Sequence, residues 1–195
     1  HKCGLFSAMD ERLKSKIRGW SDRELITSLM LINLAGGDCI SDIERLEQDK
    51  GLRRLLMHCS TYGMKSLQRR AYEKRWRITK TRGLPSNAAI HRYLPQFHHA
   101  EAETKRQDGK AYIPELNERL RALISLNKVL VDAVQNQSPS KQATLDQDAT
   151  LTATHKSSAL YCYKKYKAYQ PLNTYWAEHG VLVHSEFRDG NVPAG

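Results

Sequence analysis

Residues 143–151 read Ala-Thr-Leu-Asp-Gln-Asp-Ala-Thr-Leu, and this stretch decides the fold class. Side chains along it alternate in character with a period of two, which is typical of a β-strand and differs from the helical period of about 3.6. One face of the strand would carry Leu145, Gln147, Ala149 and Leu151, and the other face Asp146, Asp148 and Thr150. We therefore predict a strand with two carboxylates on one face.

Two more strand-like runs follow, at 171–177 and 181–187, and His179-Gly180 lies between them as a turn. Such spacing predicts a β-hairpin. Upstream, the polar run Gln135 to Ser140 is the clearest boundary in the chain. We predict an α+β fold, with a helical region at 1–140 followed by the first antiparallel strands of an incomplete sheet at 141–195.

The first 140 residues have helical periodicity and several helix start signals. Ser21 to Glu24 forms a capping-box sequence, and Ser41 to Glu44 repeats it. We predict further helices after Gly51, which interrupts the pattern, and near Ser86. A long helix is predicted to begin at Pro114, because proline is favoured in the first turn.

The charge of the chain indicates a polyanionic partner. Lys and Arg number 31 against 21 Asp and Glu, a net charge of +10, and almost all of the excess lies in residues 1–140. In a protein whose four cysteines show no disulfide or C-x-x-C pattern, a surplus of this size favours nucleic acid. No run approaches the ~20 apolar residues of a membrane helix. We predict a cytoplasmic protein.

Residues 65–82 are the most basic segment, with eight basic side chains and one acid. A solvated helix face usually mixes both signs, so this composition favours contact with DNA phosphates. The short helix after Leu84-Pro85 could lie in a DNA groove or could equally be a packing helix. The candidate DNA-binding residues are Lys65, Arg69, Arg70, Lys74, Arg75, Arg77, Lys80, Arg82 and Arg92.

Asp146 and Asp148 are candidate ligands for a divalent metal. Two like charges two residues apart on one strand face are costly unless a cation lies beside them. Carboxylate-bound divalent ions are typical of phosphoryl-transfer sites. The alternative, a solvated edge strand with two surface acids, is equally compatible with the pattern.

An ordered set of motifs resembles the DDE transposases of insertion sequences. The strand at 143–151, the segment 163–172 and the closing 186–195, with its Arg-x-Gly-Asn pattern, carry the resemblance most strongly. Residues 36–42 and 84–86 are similar, more loosely, to the helical DNA-binding part of such proteins.

The resemblance implies an RNase H-like fold in which three acids bind two Mg²⁺ (or Mn²⁺) ions. Asp148 matches the family's first catalytic Asp and would be the metal ligand, and Asp146 matches a frequent companion. Arg188, Gly190 and Asn191 match a motif that would support the sheet or the DNA. The second Asp and the Glu would follow Gly195, so we expect an N-terminal fragment that is inactive alone.

The resemblance thus implies an enzyme of DNA transposition, which binds insertion-sequence ends and target DNA and cleaves and transfers strands. Double-stranded DNA is the expected partner, and self-association is a further expectation; no membrane partner is expected. The alternative from another class is a non-catalytic DNA-binding regulator or a remnant of a transposase. A basic RNA- or ribosome-associated protein is a weaker alternative.

Overall fold

The structure, a computed structural model, describes residues 3–13, 19–79, 82–107 and 109–193, and for 75–79 the backbone alone. The chain divides into two compact units. Unit 1 comprises His1–Leu13 and Phe97–Gly195, and unit 2 comprises Lys14–Gln96. The expected boundary at residue 140 therefore lies within unit 1, and a functional division at that point stays a prediction.

The described helices and strands confirm the α+β class. The helices are α1 (Leu5–Arg12), α2 (Asp22–Leu34), α3 (Ile43–Gln48), α4 (Lys50–Thr61), α5 (Ser66–Thr79), α6 (Asn87–Tyr93), α7 (Ala100–Glu103) and α8 (Glu118–Gln137), with 3₁₀ turns at Ile40–Asp42 and Leu94–Phe97. The strands are β1 (Leu145–Ala149), β2 (Thr152–Ala153), β3 (Ala168–Tyr169), β4 (Leu172–Trp176) and β5 (Val181–Glu186).

The predicted capping box at the start of α2 is confirmed. The Ser21 hydroxyl accepts a hydrogen bond from the Glu24 amide, and the Glu24 carboxylate accepts one from the Ser21 amide at 2.8 Å. The next residue, Asp22, is buried, and its carboxylate accepts a 2.8 Å hydrogen bond from the Tyr93 hydroxyl. This bond joins the start of α2 to α6 within the core of unit 2.

The second predicted capping box, Ser41 to Glu44, does not form. A helix does begin there, but at Ile43 after a 3₁₀ turn, and no side chain caps it. The Asp42 carboxylate instead accepts from the amides of Asp38 and Cys39 at 2.9 and 3.1 Å. These two hydrogen bonds hold the pKa of Asp42 below its ordinary value.

Gly51 does not interrupt a helix, because it lies in the first turn of α4. The Asp49 carboxylate caps that helix by accepting from the amides of Gly51 and Leu52. The long helix α8 likewise begins at Glu118 rather than at Pro114, because the Asn117 side chain accepts from the amide of Leu120 at 2.8 Å. Side chains three residues apart therefore set both starts.

The main sheet is antiparallel, with the strand order β1-β4-β5. The predicted hairpin is confirmed as β4 and β5, joined by a turn at 177–180. The short pair β2 and β3 was not predicted, and neither was the irregularity between Thr174 and Tyr175. In α8, the Asn127 side chain donates to the carbonyls of Leu182 and Val183, so the helix is tied to β5.

On β4, one face of the main sheet is buried and the other is open. Leu172 and Thr174, two residues apart on β4, are at most 9% exposed, whereas Tyr175 is 42% exposed. Gln147 lies opposite Thr174 and donates to its hydroxyl at 3.1 Å. The odd-numbered positions of β1 therefore lie on the same side of the sheet as Thr174, although Leu145 and Gln147 are themselves exposed, and the two acids lie on the open face.

Candidate functional site

The open face of the sheet carries the two predicted acids. Asp146 and Asp148 are both exposed, opposite Tyr175 and Asn173 respectively. Asn173 is in turn opposite Ser185, whose hydroxyl donates to the Asn173 side-chain oxygen at 2.8 Å. A polar row therefore crosses all three strands at the level of Asp148.

The Asp148 carboxylate has a hydrogen-bond donor two residues along the chain. The Thr150 hydroxyl donates to one oxygen of the Asp148 carboxylate at 3.1 Å. Carboxylate oxygens are the hard donors that Mg²⁺ prefers, and Mg²⁺ usually keeps waters and substrate phosphates as its other ligands. The part of the chain that the structure describes contains no group of three or more metal-binding side chains. The two carboxylates fit a partial ligand set.

The Arg-x-Gly-Asn motif forms a close-packed loop after β5. Arg188 donates to the carboxylate of Glu186 at 2.5 Å and to the carbonyl of Pro193. Gly190 is buried, and a Cβ atom there would lie 2.5 Å from the Ala168 carbonyl oxygen, so only glycine fits. The Asn191 side chain donates from its Nδ2 atom to the carbonyl of Lys110 at 3.1 Å. All three predicted support residues thus lie at a packed junction.

Sequence reasoning missed Asp189, the residue between the arginine and the glycine. Its side chain is 7% exposed and forms an ion pair with Arg106. Arg106 also pairs with Glu103 at 2.9 Å, and the hydrogen bonds from Arg106 to Glu103 and then to Asp189 raise the pKa of the guanidinium. Arg106 and Asp189 are 83 residues apart, so no local pattern could have paired them.

The basic segment 65–82 lies mainly on α5 in unit 2. Lys65, Arg69, Arg70 and Lys74 are exposed. The side chains of Arg75 and Arg77, and the whole of Lys80, lie outside the described residues. Arg69 is 4.0 Å from Glu73 on the same helix, an exposed pair that contributes little to stability.

A cleft of about 360 Å³ separates α4 from α5. Arg54, His58 and Thr61 of α4 line it, facing Arg69, Arg70 and Glu73 of α5. Sequence reasoning missed the α4 side of this cleft. The composition of this helix could have indicated it, since Lys50–Thr61 contains Lys50, Arg53, Arg54 and His58 and no acid.

Two of the predicted DNA-binding residues have contrasting surroundings. Arg82 is half-buried and donates to the Glu44 carboxylate at 2.8 Å, so a phosphate would have to compete with that ion pair. Arg92 is exposed on α6, next to exposed His91. The same helix buries Ile90 and Tyr93, so α6 contributes to the core of unit 2 and still presents a polar side.

The comparison with protein families places the chain among the transposases that have a DDE domain. The matching family is the transposase DDE domain group 1, and the match covers residues 4–195. The chain therefore belongs to this family. No curated protein and no solved structure matches the chain. Among the residues that the structure describes, no helix is both long enough and apolar enough to cross a membrane.

Proposed function

We propose that this chain binds double-stranded DNA through unit 2 and contributes the first metal-binding acid of a transposase through β1. The family match over residues 4–195 carries the proposal. The expected activity is metal-dependent strand cleavage and transfer at insertion-sequence ends, in the cytoplasm at the bacterial nucleoid. In this interpretation β1, β4 and β5 are the first strands of an RNase H-like sheet.

The cleft between α4 and α5 supports DNA binding. Arg54, Arg69 and Arg70 meet there, and with His58 they present four basic groups against Glu73 alone. Guanidinium groups that converge on a groove are suited to phosphate oxygens. Phosphate contacts supply affinity and orientation without reading the sequence, so the cleft explains binding to DNA in general rather than choice of the element ends.

Asp148 is our proposed metal ligand and Asp146 its companion. The Thr150 hydroxyl holds one Asp148 oxygen, which orients the carboxylate on the open face of the sheet. A bound Mg²⁺ or Mn²⁺ would supply charge stabilisation for phosphoryl transfer. Arg188, Gly190 and Asn191 act as supports, since their contacts pack the loop after β5 against Ala168 and Lys110.

The salt dependence of DNA binding tests the proposal. Each phosphate neutralised adds about 0.9 to the slope of log affinity against log salt concentration. Replacing Arg54, Arg69 and Arg70 with Ala should therefore lower that slope by roughly 2–3 for a duplex oligonucleotide. The matched control replaces three exposed basic residues of unit 1, Lys105, Arg121 and Lys141, and should change it little.

Equal slopes for the cleft variant and the parent would reject the cleft as the DNA site. A parent that binds duplex DNA but never cleaves it, in assays with Mg²⁺ or Mn²⁺ and with the rest of the transposase supplied, would instead favour the non-catalytic regulator.

A further inference from the structure

The segment between β1 and the turn after β4 has an unusual composition. Residues 149–177 contain five Tyr and four Lys, and no Asp or Glu. The net charge of residues 141–195 hides this cluster, because Asp146 and Asp148 precede it and Glu178 follows it.

The chain forms a tight hairpin here, which we call the aromatic hairpin (161–167). Tyr161 pairs with Lys167, and the Cys162 amide donates to the Tyr166 carbonyl at 2.9 Å. Lys165 adopts a positive φ of 65°, which closes the turn. Only a few per cent of non-glycine residues have such a backbone conformation, so the turn has a defined geometry.

Burial alternates along the first arm of the aromatic hairpin. Cys162 is 4% exposed, whereas Tyr161 and Tyr163 on either side of it are 64% and 73% exposed. Both rings therefore lie on the same side of the arm and outside the core. Lys164 places its ammonium group 5.6 Å from the centre of the Tyr163 ring.

A groove of about 580 Å³ runs beside the two rings. Tyr161 and Tyr163 line it, together with Ala149, Asn191 and Pro193. Its volume lies in the range of small-molecule sites, about 300–1,000 Å³. Ala149 is the last residue of β1, so the groove begins at the end of this strand, on the face opposite to the Asp148 side chain.

We propose that the aromatic hairpin is a stacking platform for the bases of an unpaired DNA strand. Tyrosine rings stack on bases of any sequence, and lysines beside them attract the phosphates. The four lysines of residues 149–177, three of them in the aromatic hairpin, and the lack of acids there favour a polyanion over a protein partner, whose interface cores are poor in lysine. Unpaired DNA is the form that fits, because bases inside a duplex keep their faces covered.

This inference rests on the proposed function and deepens it. If an unpaired strand lies on Tyr161 and Tyr163, its backbone enters the groove beside Ala149. The strand would then pass the end of β1, one residue beyond Asp148, whose side chain lies on the opposite face of β1. The aromatic hairpin would thus position frayed or cleaved strand ends, while the α4–α5 cleft holds the duplex.

The experiment measures binding of a single-stranded 12-mer containing 2-aminopurine, whose fluorescence changes on stacking. Changing Tyr161 and Tyr163 together to Leu should weaken binding at least about tenfold, since stacking on one aromatic side chain corresponds to roughly 5- to 150-fold. Changing both to Phe keeps the rings, and affinity should stay within about twofold. Tyr62→Leu, at a tyrosine 62% exposed in unit 2, is the matched control.

Unchanged affinity in the Leu pair, or an equal loss in the Phe pair, would overturn the proposal, because neither result follows from ring stacking. A parent that fails to bind the single strand would overturn it too. Duplex binding by the same variants separates this result from the proposed function, because it should stay at the parent's level. Thermal melting of each variant confirms that the exposed substitutions leave the fold intact.

Discussion

At the scale of single residues, Asp146 and Asp148 have similar positions on β1 but different neighbours. Both are exposed on the open face of β1, and the Asp148 carboxylate accepts a hydrogen bond from the neighbouring Thr150 hydroxyl. A carboxylate that is oriented before a ligand arrives loses less conformational entropy on binding. This difference favours Asp148 as the stronger metal ligand.

We expect Asp148→Asn to weaken Mn²⁺ binding at least about tenfold, and Asp146→Asn to have a smaller effect. The measurement is a titration of Mn²⁺ followed by electron paramagnetic resonance. Asp132→Asn on α8 is the control, since this exposed carboxylate forms an ion pair with Lys128 on the same helix, at 2.5 Å. A larger loss for Asp146→Asn would reverse our assignment within the pair.

At the scale of elements, α3 holds the segment that leads into α6. Glu47 accepts hydrogen bonds from the amides of Gly83 and Leu84, the latter at 2.8 Å. Glu44 accepts from the guanidinium of Arg82 and from the Asn87 amide. Two acids one helical turn apart therefore satisfy backbone and side-chain donors of a segment some 40 residues later in the chain, as a β-turn or a cap would do locally.

The α3 contacts predict a stability change in acid. The hydrogen bond from Arg82 is the main reason that the pKa of Glu44 is lower than its ordinary value of 4.5. A lowered folded-state pKa means that the Glu44 contribution is complete above about pH 4.5 and is lost as the pH falls further. We expect Glu44→Gln to reduce the drop in melting temperature between pH 7 and pH 3.5.

Differential scanning calorimetry of both proteins at the two pH values measures that drop. Glu101→Gln, at an exposed acid on α7, is the control and should keep the parent's drop. If Glu44→Gln shows the parent's drop as well, the ion pair with Arg82 does not contribute to acid sensitivity.

Sequence patterns within a few residues predicted many helices and strands correctly. They failed where a contact with a more distant residue determines the local structure. The start of α2 and the β4–β5 hairpin follow from side chains within a few residues, and both were predicted. Ser41 did not cap α3, because Asp42 turns back to the amides of Asp38 and Cys39. The strands β2 and β3 have two residues each, too few to show a period.

The candidate site, too, was predictable only in part from the sequence. The alternation in β1 predicted which face carries Asp146 and Asp148, and the Arg-x-Gly-Asn pattern located the loop after β5. Neither predicted that Asp189 pairs with Arg106, since that contact spans 83 residues. The segment 163–172 carries part of the family resemblance, but the positive charge of the aromatic hairpin is not visible in the net charge of residues 141–195, because flanking acids offset its lysines.

At the scale of the whole molecule, unit 1 is built from two distant parts of the chain. The helix α1 packs against α8, and the Arg12 guanidinium donates to the Ser125 carbonyl at 2.6 Å and to its hydroxyl. Met9 of α1 is 1% exposed. Unit 2, in contrast, is continuous, and its core includes Leu25 and Ile90.

We expect a core substitution to destabilise the unit that contains it and to leave the other unit nearly unchanged. Met9→Ala should cost about 2–5 kcal/mol and speed amide hydrogen exchange in α8 with little change in α2. Ile90→Ala, at a side chain 0% exposed in unit 2, should do the reverse. Hydrogen exchange read by mass spectrometry measures both. Equal acceleration in both units for either variant would mean that they unfold together.

The contact between Arg12 and Ser125 also sets an order of events during synthesis. The two residues are 113 positions apart, so at roughly 5–20 residues per second the ribosome makes Ser125 roughly 6 to 23 s after Arg12. All of unit 2 is made in that interval. The nascent chain can thus complete unit 2 while Leu5 and Met9 still lack the helix that covers them, and during those seconds α1 offers an apolar stripe to chaperones.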